Sequence, residues 1–275
     1  MKLTFQQTIL LALGGLHQAN CHCKSHQSSI DTYQDETDSA QDGYPVVVVD
    51  GVISKRWEYT RPTTSFAPNY DYSGPESTCG FNATLPLFPI KTVQVKAGST
   101  VGFGAMYMSA KNGNIDEHTD FTDFDPSFYM YHDGPATAYL SKSPGELNEY
   151  AGDGDWFKIA VVGAKDGLTW DYAAAKAVNI MNFTIPASTP PGKYLMRAEH
   201  LNIATYYKST QMFINCAHIE VTGSGEGVPG PTTKFPGAFT ASDPGIWLPS
   251  ALGRPTQPMD ELKNWQGAGP KVWMG

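Results

Sequence analysis

Apolar residues recur at close to every second position between residues 193 and 223. Leu195, Leu201 and Ile203 precede a polar stretch, and Met212, Ile214, Ile219 and Val221 follow it. A period near two with β-branched enrichment predicts two buried strands joined by a polar loop, half the core of an antiparallel sandwich. Arg197, Glu199, His200 and Gln211 interrupt the pattern with polar groups in strands that otherwise call for burial. Buried polar groups need partners or a task.

The same alternation predicts a first strand over residues 44–50, and only residues 173–178 read as helical, briefly. Short strands between turn signals, with 27 Gly and 20 Pro in 275 residues, favour one sandwich of roughly 200–250 residues over two smaller domains. At the start, Lys2 precedes an apolar run over residues 8–16 and then small or polar residues, the layout of a secretory signal peptide. After the signal lie residues 28–42, which carry five acids, no Lys or Arg and almost nothing apolar. Such a stretch cannot bury enough surface to order itself and is predicted to be a flexible leader. The expected organisation is therefore a signal peptide over 1–21, an acidic leader over 22–43, a sandwich over 44–250 and a C-terminal segment over 251–275 that packs on it.

The net charge of −8 and pI near 5.3 argue against nucleic acid or an anionic membrane as partner. Export is also consistent with two Asn-X-Thr sequons, at Asn82 and Asn182. The chain contains neither a Gly-X-Ser-X-Gly elbow nor a His-Glu-X-X-His pair.

Several runs fall in a familiar order. They are Val49-Asp50-Gly51, Trp57-Glu58-Tyr59, His132-Asp133-Gly134-Pro135 with Tyr139-Leu140, Trp156-Phe157-Lys158-Ile159, Pro191-Gly192-Lys193-Tyr194 through Arg197, and Gln211-Met212-Phe213 with Cys216. Val221 to Gly225 and Phe235-Pro236-Gly237 with Asp243-Pro244-Gly245-Ile246 continue it. Together they resemble the fungal lytic polysaccharide monooxygenases of auxiliary activity family nine, over most of the chain. The fold expected is all-β, an immunoglobulin-like or fibronectin-like antiparallel β-sandwich with long loops. The resemblance implies a secreted, monomeric copper enzyme that oxidatively cuts cellulose or a related β-glucan with an external electron donor.

It also implies site residues. The family's copper sits in a histidine brace, whose first His supplies the mature amine and one imidazole nitrogen while an internal His supplies the third nitrogen, a set that suits Cu(II). The internal ligand maps onto His132. The first maps onto Gln41, four residues before Pro45, and Gln41 offers no imidazole; His22 would take the role if cleavage after Cys21 made it the N-terminus. Its reach across roughly twenty residues adds little closure entropy, about 0.6 kcal/mol per doubling of loop length. The axial tyrosine position holds Phe213, which cannot ligate, and the outer-shell His position holds Ala204. Gln211 keeps the place of the amide that handles the axial residue or bound oxygen.

Cys79 and Cys216 match the family's disulfide, which would stabilise by about 4–5 kcal/mol in the chain-entropy model. Among the C-terminal aromatics Trp247, Trp265 and Trp273, Trp265 is the candidate for stacking on sugar; the alternative is that these rings cover a sheet edge. Three functional classes remain open: a copper monooxygenase using His22 and His132; a non-catalytic relative that has lost the brace; and a secreted copper-binding protein using His22, Cys23 and His26 in the leader.

Overall fold

The computed structural model describes residues 40–109, 127–249 and 256–275. It contains β1 (Ala40–Val49), β2 (Val52–Ile53), α1 (Glu76–Cys79), β3 (Val93–Lys96), β4 (Thr100–Ser109), β5 (Ala136–Lys142), β6 (Trp156–Val162), β7 (Ile180–Thr184), β8 (Gly192–Asn202), β9 (Gln211–Thr222), β10 (Thr232–Thr233) and α2 (Asp260–Lys263). A four-stranded sheet in the order β2-β1-β4-β7 faces a six-stranded sheet in the order β10-β6-β5-β8-β9-β3. Among the named strands every described pairing is antiparallel except β3 with β9. The β-sandwich expected from the alternation is therefore present. The stretch expected to be helical contains only one 3-10 turn, Ala174–Lys176, ended where Ala177 turns to a positive φ of 49°.

The two long strands that the alternation marked out, β8 and β9, pair along their length inside the larger sheet, between β5 and β3. Successive side chains on a strand point to opposite faces. Tyr194, Met196, Ala198, Phe213, Ala217 and Ile219 enter the core between the sheets, against Val47, Phe103 and Phe183. Leu195, Leu201, Met212, Ile214 and Cys216 enter a second apolar cluster on the outer face, roofed by Phe235, Phe239, Ile246, Trp265 and Ala268. The larger sheet is thus buried on both sides, which explains why polar residues of β8 lie fully inside.

Under the roof, Arg197 donates to the Ser77 and Thr78 carbonyls and pairs with Glu199 at 2.5 Å. Thr137 caps the other Glu199 oxygen at 3.0 Å. Lys158 donates to the Gln266 and Ala268 carbonyls at 2.9 and 2.8 Å, and burial pushes its ammonium pKa down to about 8. The described part of the C-terminal segment therefore docks on β6 through a buried cation. The Cys79–Cys216 disulfide ties α1 to β9 in the same layer.

One boundary differs from expectation. The first strand begins at Ala40, four residues before the expected start. β4 runs on to Ser109, so Ala40 to Gly43 find ladder partners in Ser109 to Met106. Asp42, counted in the acidic leader, is a buried strand residue. A register irregularity between Gly43 and Val46, at Pro45 with its missing N–H, frees the Tyr44 amide to donate to Asn215 Oδ1 at 3.0 Å.

Candidate active site

His132 sits in the turn that leads into β5. That turn is fastened on several sides: Met130 N–H to the Val178 carbonyl, Gly134 N–H to Tyr172, and Leu201 N–H to Pro135. The Asp133 carboxylate accepts from the Ala174 N–H at 2.6 Å. Gly134 is required there, because a Cβ would lie 1.5 Å from the Leu201 carbonyl oxygen. The turn rests directly on β8.

Asp42 completes the fastening from the opposite sheet. Its Oδ1 accepts from the Tyr131 N–H at 2.8 Å; its Oδ2 accepts from the His132 N–H at 3.1 Å and meets His132 Nδ1 at 2.8 Å. Burial pushes the Asp42 carboxyl up, but the His132 hydrogen bond and the surrounding donors outweigh it, leaving the carboxyl below its ordinary range. It is an anion, and an anionic carboxylate only accepts.

The His132 ring stacks on Phe213 at 4.6 Å between centroids and 25° between planes, with Tyr131 edge-on at 5.2 Å. Its side chain is 14% exposed, and among the described residues Nε2 has no hydrogen-bond partner. Beneath lies His200, fully buried, with Nδ1 2.7 Å from the Tyr44 hydroxyl and 3.8 Å from Asp42 Oδ2. Burial pushes its pKa down to about 4, so it is neutral near pH 7. On β9, two residues before Phe213, Gln211 accepts from Asn202 at 2.6 Å and donates to the Tyr70 hydroxyl at 2.9 Å.

The structure thus brings His132, Phe213 and Gln211 to one end of the sandwich. Ala204 lies beyond β8, its N–H bonded to Thr210. His22 lies outside the described residues, as do Cys23 and His26. Trp265 is not a surface platform: it is 7% exposed and packs edge-on against Trp170 as part of the roof. Trp273 is likewise buried, against Phe157, so the covering role applies to both. Exposed aromatics beside His132 and Gln211 are instead Tyr131, edge-on to His132, and Tyr70, bonded to Gln211; Tyr206 and Tyr207 are exposed in the loop between β8 and β9, Tyr207 edge-on against Trp247 at 5.4 Å. Asp42, Tyr44, Asn215 and Tyr70 escaped the sequence reading. The one available signal was Asp42's even spacing from Tyr44 at the head of the first strand.

A scan of family descriptions matches Auxiliary Activity family 9 (formerly GH61) over residues 23–256. The chain belongs to that family. It is 35% identical over 251 residues to AA9 family lytic polysaccharide monooxygenase U of Thermothielavioides terrestris, covering 84% of this chain and 91% of the relative. It is 35% identical over 248 residues to monooxygenase C of Emericella nidulans, covering 87% and 94%. In fold it is similar to the glycoside hydrolase family 61 member Cel61B from Hypocrea jecorina. The TM-score is 0.66 at 20% identity, over 85% of this chain and all of that one. HiLPMO9B is comparable, with a TM-score of 0.65 at 24% identity, over 86% of this chain and all of that one.

Lytic polysaccharide monooxygenases of this family are copper-dependent, act on cellulose or related polysaccharides with an external electron donor, and in fungi are secreted. Among the described residues no helix is long and apolar enough to cross a membrane. The described residues alone do not fit the copper brace. They offer the one nitrogen of His132, Gln41, onto which the resemblance maps the first ligand, is the second residue of β1 and has no imidazole, and no three His, Cys, Asp or Glu side chains among them gather as a metal-holding group.

Proposed function

We infer that this protein is a secreted lytic polysaccharide monooxygenase-type protein directed at cellulose or a related β-glucan, working as a monomer with an external electron donor. One copper ion would take Nε2 of His132 and the amine and imidazole of His22, the latter freed by cleavage after Cys21 ahead of a leader that ends at β1. The observation that carries this is the state of His132: at the family's internal ligand position, Nδ1 is bound to Asp42, leaving Nε2 as the nitrogen without a described partner. Gln211 stands on the same strand face as Phe213, its amide oriented by Asn202 and Tyr70. Exposed Tyr70, Tyr131, Tyr206 and Tyr207 suit stacking on sugar rings, since an aromatic face with a polar tip serves a wet apolar surface. Asn82 and Asn182 are both exposed and would carry the glycans.

A second reading, a relative without catalysis that keeps sugar affinity, is favoured by the same site. Phe213 offers no oxygen and covers one face of His132, and Gln41, at the place where the resemblance puts the first ligand, lies within the chain as the second residue of β1. The decisive experiment combines N-terminal sequencing of secreted protein, copper(II) titration of wild type and His132→Ala, and a search for oxidised cello-oligosaccharides with a reductant present. An N-terminal His22, one-to-one copper abolished by His132→Ala, and oxidised products support the monooxygenase. A mature start elsewhere, with no copper bound at micromolar concentration, leaves the non-catalytic reading. Copper that survives His132→Ala but disappears on deleting residues 22–39, which leaves β1 whole, assigns the metal to the leader.

A further inference from the structure

Asp42 does more than fasten a turn. We propose that Asp42 is the positioning residue for His132: it holds the imidazole as the Nδ1–H tautomer, with Nε2 as the ligand nitrogen, before any ion or substrate arrives. This deepens the proposed reading of the site, yet its geometry stands without copper.

Three donors from two consecutive residues converge on the one carboxylate, at 2.8, 3.1 and 2.8 Å. Both carboxylate oxygens already accept backbone N–H bonds, and the Oδ2 that meets Nδ1 is the one the His132 N–H reaches, so the carboxylate stands as acceptor and the hydrogen in the Nδ1 contact is assigned to the imidazole. A neutral ring then carries its lone pair at Nε2. The two backbone bonds fix the carboxylate relative to the turn, so the Nδ1 bond constrains the ring's rotation as well as its tautomer. Phe213 on one face and Tyr131 at the edge restrict what rotation is left.

The carboxylate itself is placed firmly. Its side chain is fully buried, and its strand is paired to β4 at Tyr107 and flanked by Gly43, where a Cβ would lie 2.5 Å from the Phe66 ring. The second histidine, His200, does not compete for Asp42: it lies 3.8 Å away with Nδ1 satisfied by Tyr44. The arrangement is a carboxylate–histidine pair of the sort that orients metal ligands and raises their basicity. Here the partner comes from the opposite sheet, 90 residues away in sequence.

The test uses the full secreted chain, labelled with 15N-histidine, stripped with chelator and kept at mildly alkaline pH. Long-range proton–nitrogen spectra should show His132 as the Nδ1–H tautomer alone. In Asp42→Asn and Asp42→Ser the tautomer should redistribute toward Nε2–H. The signal of His218, whose Nε2 is held by Arg61, should stay unchanged and so reports an intact fold. A wild-type His132 in the Nε2–H form overturns the proposal. So does a folded Asp42 variant that keeps the wild-type tautomer, because the turn alone would then set it. If neither variant keeps the His218 signal, the wild-type tautomer decides. Copper(II) titration separates this from the functional reading: copper binding in the variants should be about 10–100-fold weaker. A wild type that binds no copper removes the monooxygenase and leaves the tautomer result standing.

Discussion

Replacing Arg61 by Met removes a guanidinium that clasps three segments of chain. Arg61 is fully buried. Its Nε donates to His218 Nε2 at 3.0 Å, one terminal nitrogen reaches the Ala83 carbonyl at 3.3 Å and the Thr84 carbonyl, and the other reaches Leu147 at 2.9 Å and Tyr150 at 2.6 Å. No carboxylate is among its described partners. Burial pushes its pKa down to about 10, so it remains charged at neutral pH and is compensated by carbonyl dipoles. Met keeps much of the volume and none of the donors. Three of the four carbonyl contacts are buried, and an acceptor left unsatisfied costs about 1–3 kcal/mol. At the low end those three alone give about 3 kcal/mol, and relief of the cation's own desolvation opposes the high end. The expected loss is therefore about 3–5 kcal/mol, or roughly 6–20 °C in melting temperature for a domain of this size. Calorimetry of wild type, Arg61→Met and Arg61→Lys measures it, with Lys intermediate because it keeps the charge but not the fork. A fall of less than about 2 °C for Met would refute the clasp. It would mean that water or rearranged chain already serves those carbonyls.

Acid should weaken the fold through two histidines. His218 is pushed down to about 3, first by burial and then by Arg61, and His200 to about 4 by burial. Unfolded, each titrates near 6.5, so stability is full above that pH and falls below it by up to about 1.4 kcal/mol per unit per histidine. Urea melts at pH 7 and pH 5 should differ by about 3–4 kcal/mol, and His218→Gln should flatten the dependence. Cys216→Ala should cost up to about 5 kcal/mol in the chain-entropy model, given the 137-residue separation from Cys79. Non-reducing peptide maps should show the two cysteines in one fragment; both found free would contradict the link. Gly134→Ala should displace the His132 turn from β8, because the new Cβ meets backbone at 1.5 Å. Copper affinity and the His132 spectrum should change together, and an unchanged spectrum would rule out that coupling.

The centre of the fold was legible because burial on both faces leaves a continuous mark on the sequence. β8 and β9 carry apolar residues at positions that serve two different clusters. Asp42 was not legible, because an acidic stretch without apolar residues reads as solvated and its donors come from residues 131 and 132. No local pattern encodes a partner at that distance. Aromatic residues posed a related difficulty. Composition cannot distinguish Trp265, which seals the outer face of the sheet, from Tyr70 or Tyr131, which stand exposed beside the site. The expectation of a ligand at His132 came from its place in a Gly-Pro turn within an ordered series of family motifs. Its hydrogen bond to Asp42 came only from the fold.

The early start of β1 carries a consequence for proteolytic maturation. Ala40, Gln41, Asp42 and Gly43 are paired in register with Ser109, Met108, Tyr107 and Met106. An aminopeptidase needs several residues of extended, unpaired chain in its cleft. One that worked along β1 would have to unzip this ladder, pulling Asp42 off three donors as it did so. The paired strand is therefore expected to resist trimming past residue 40, and mature ends inside β1 should be absent.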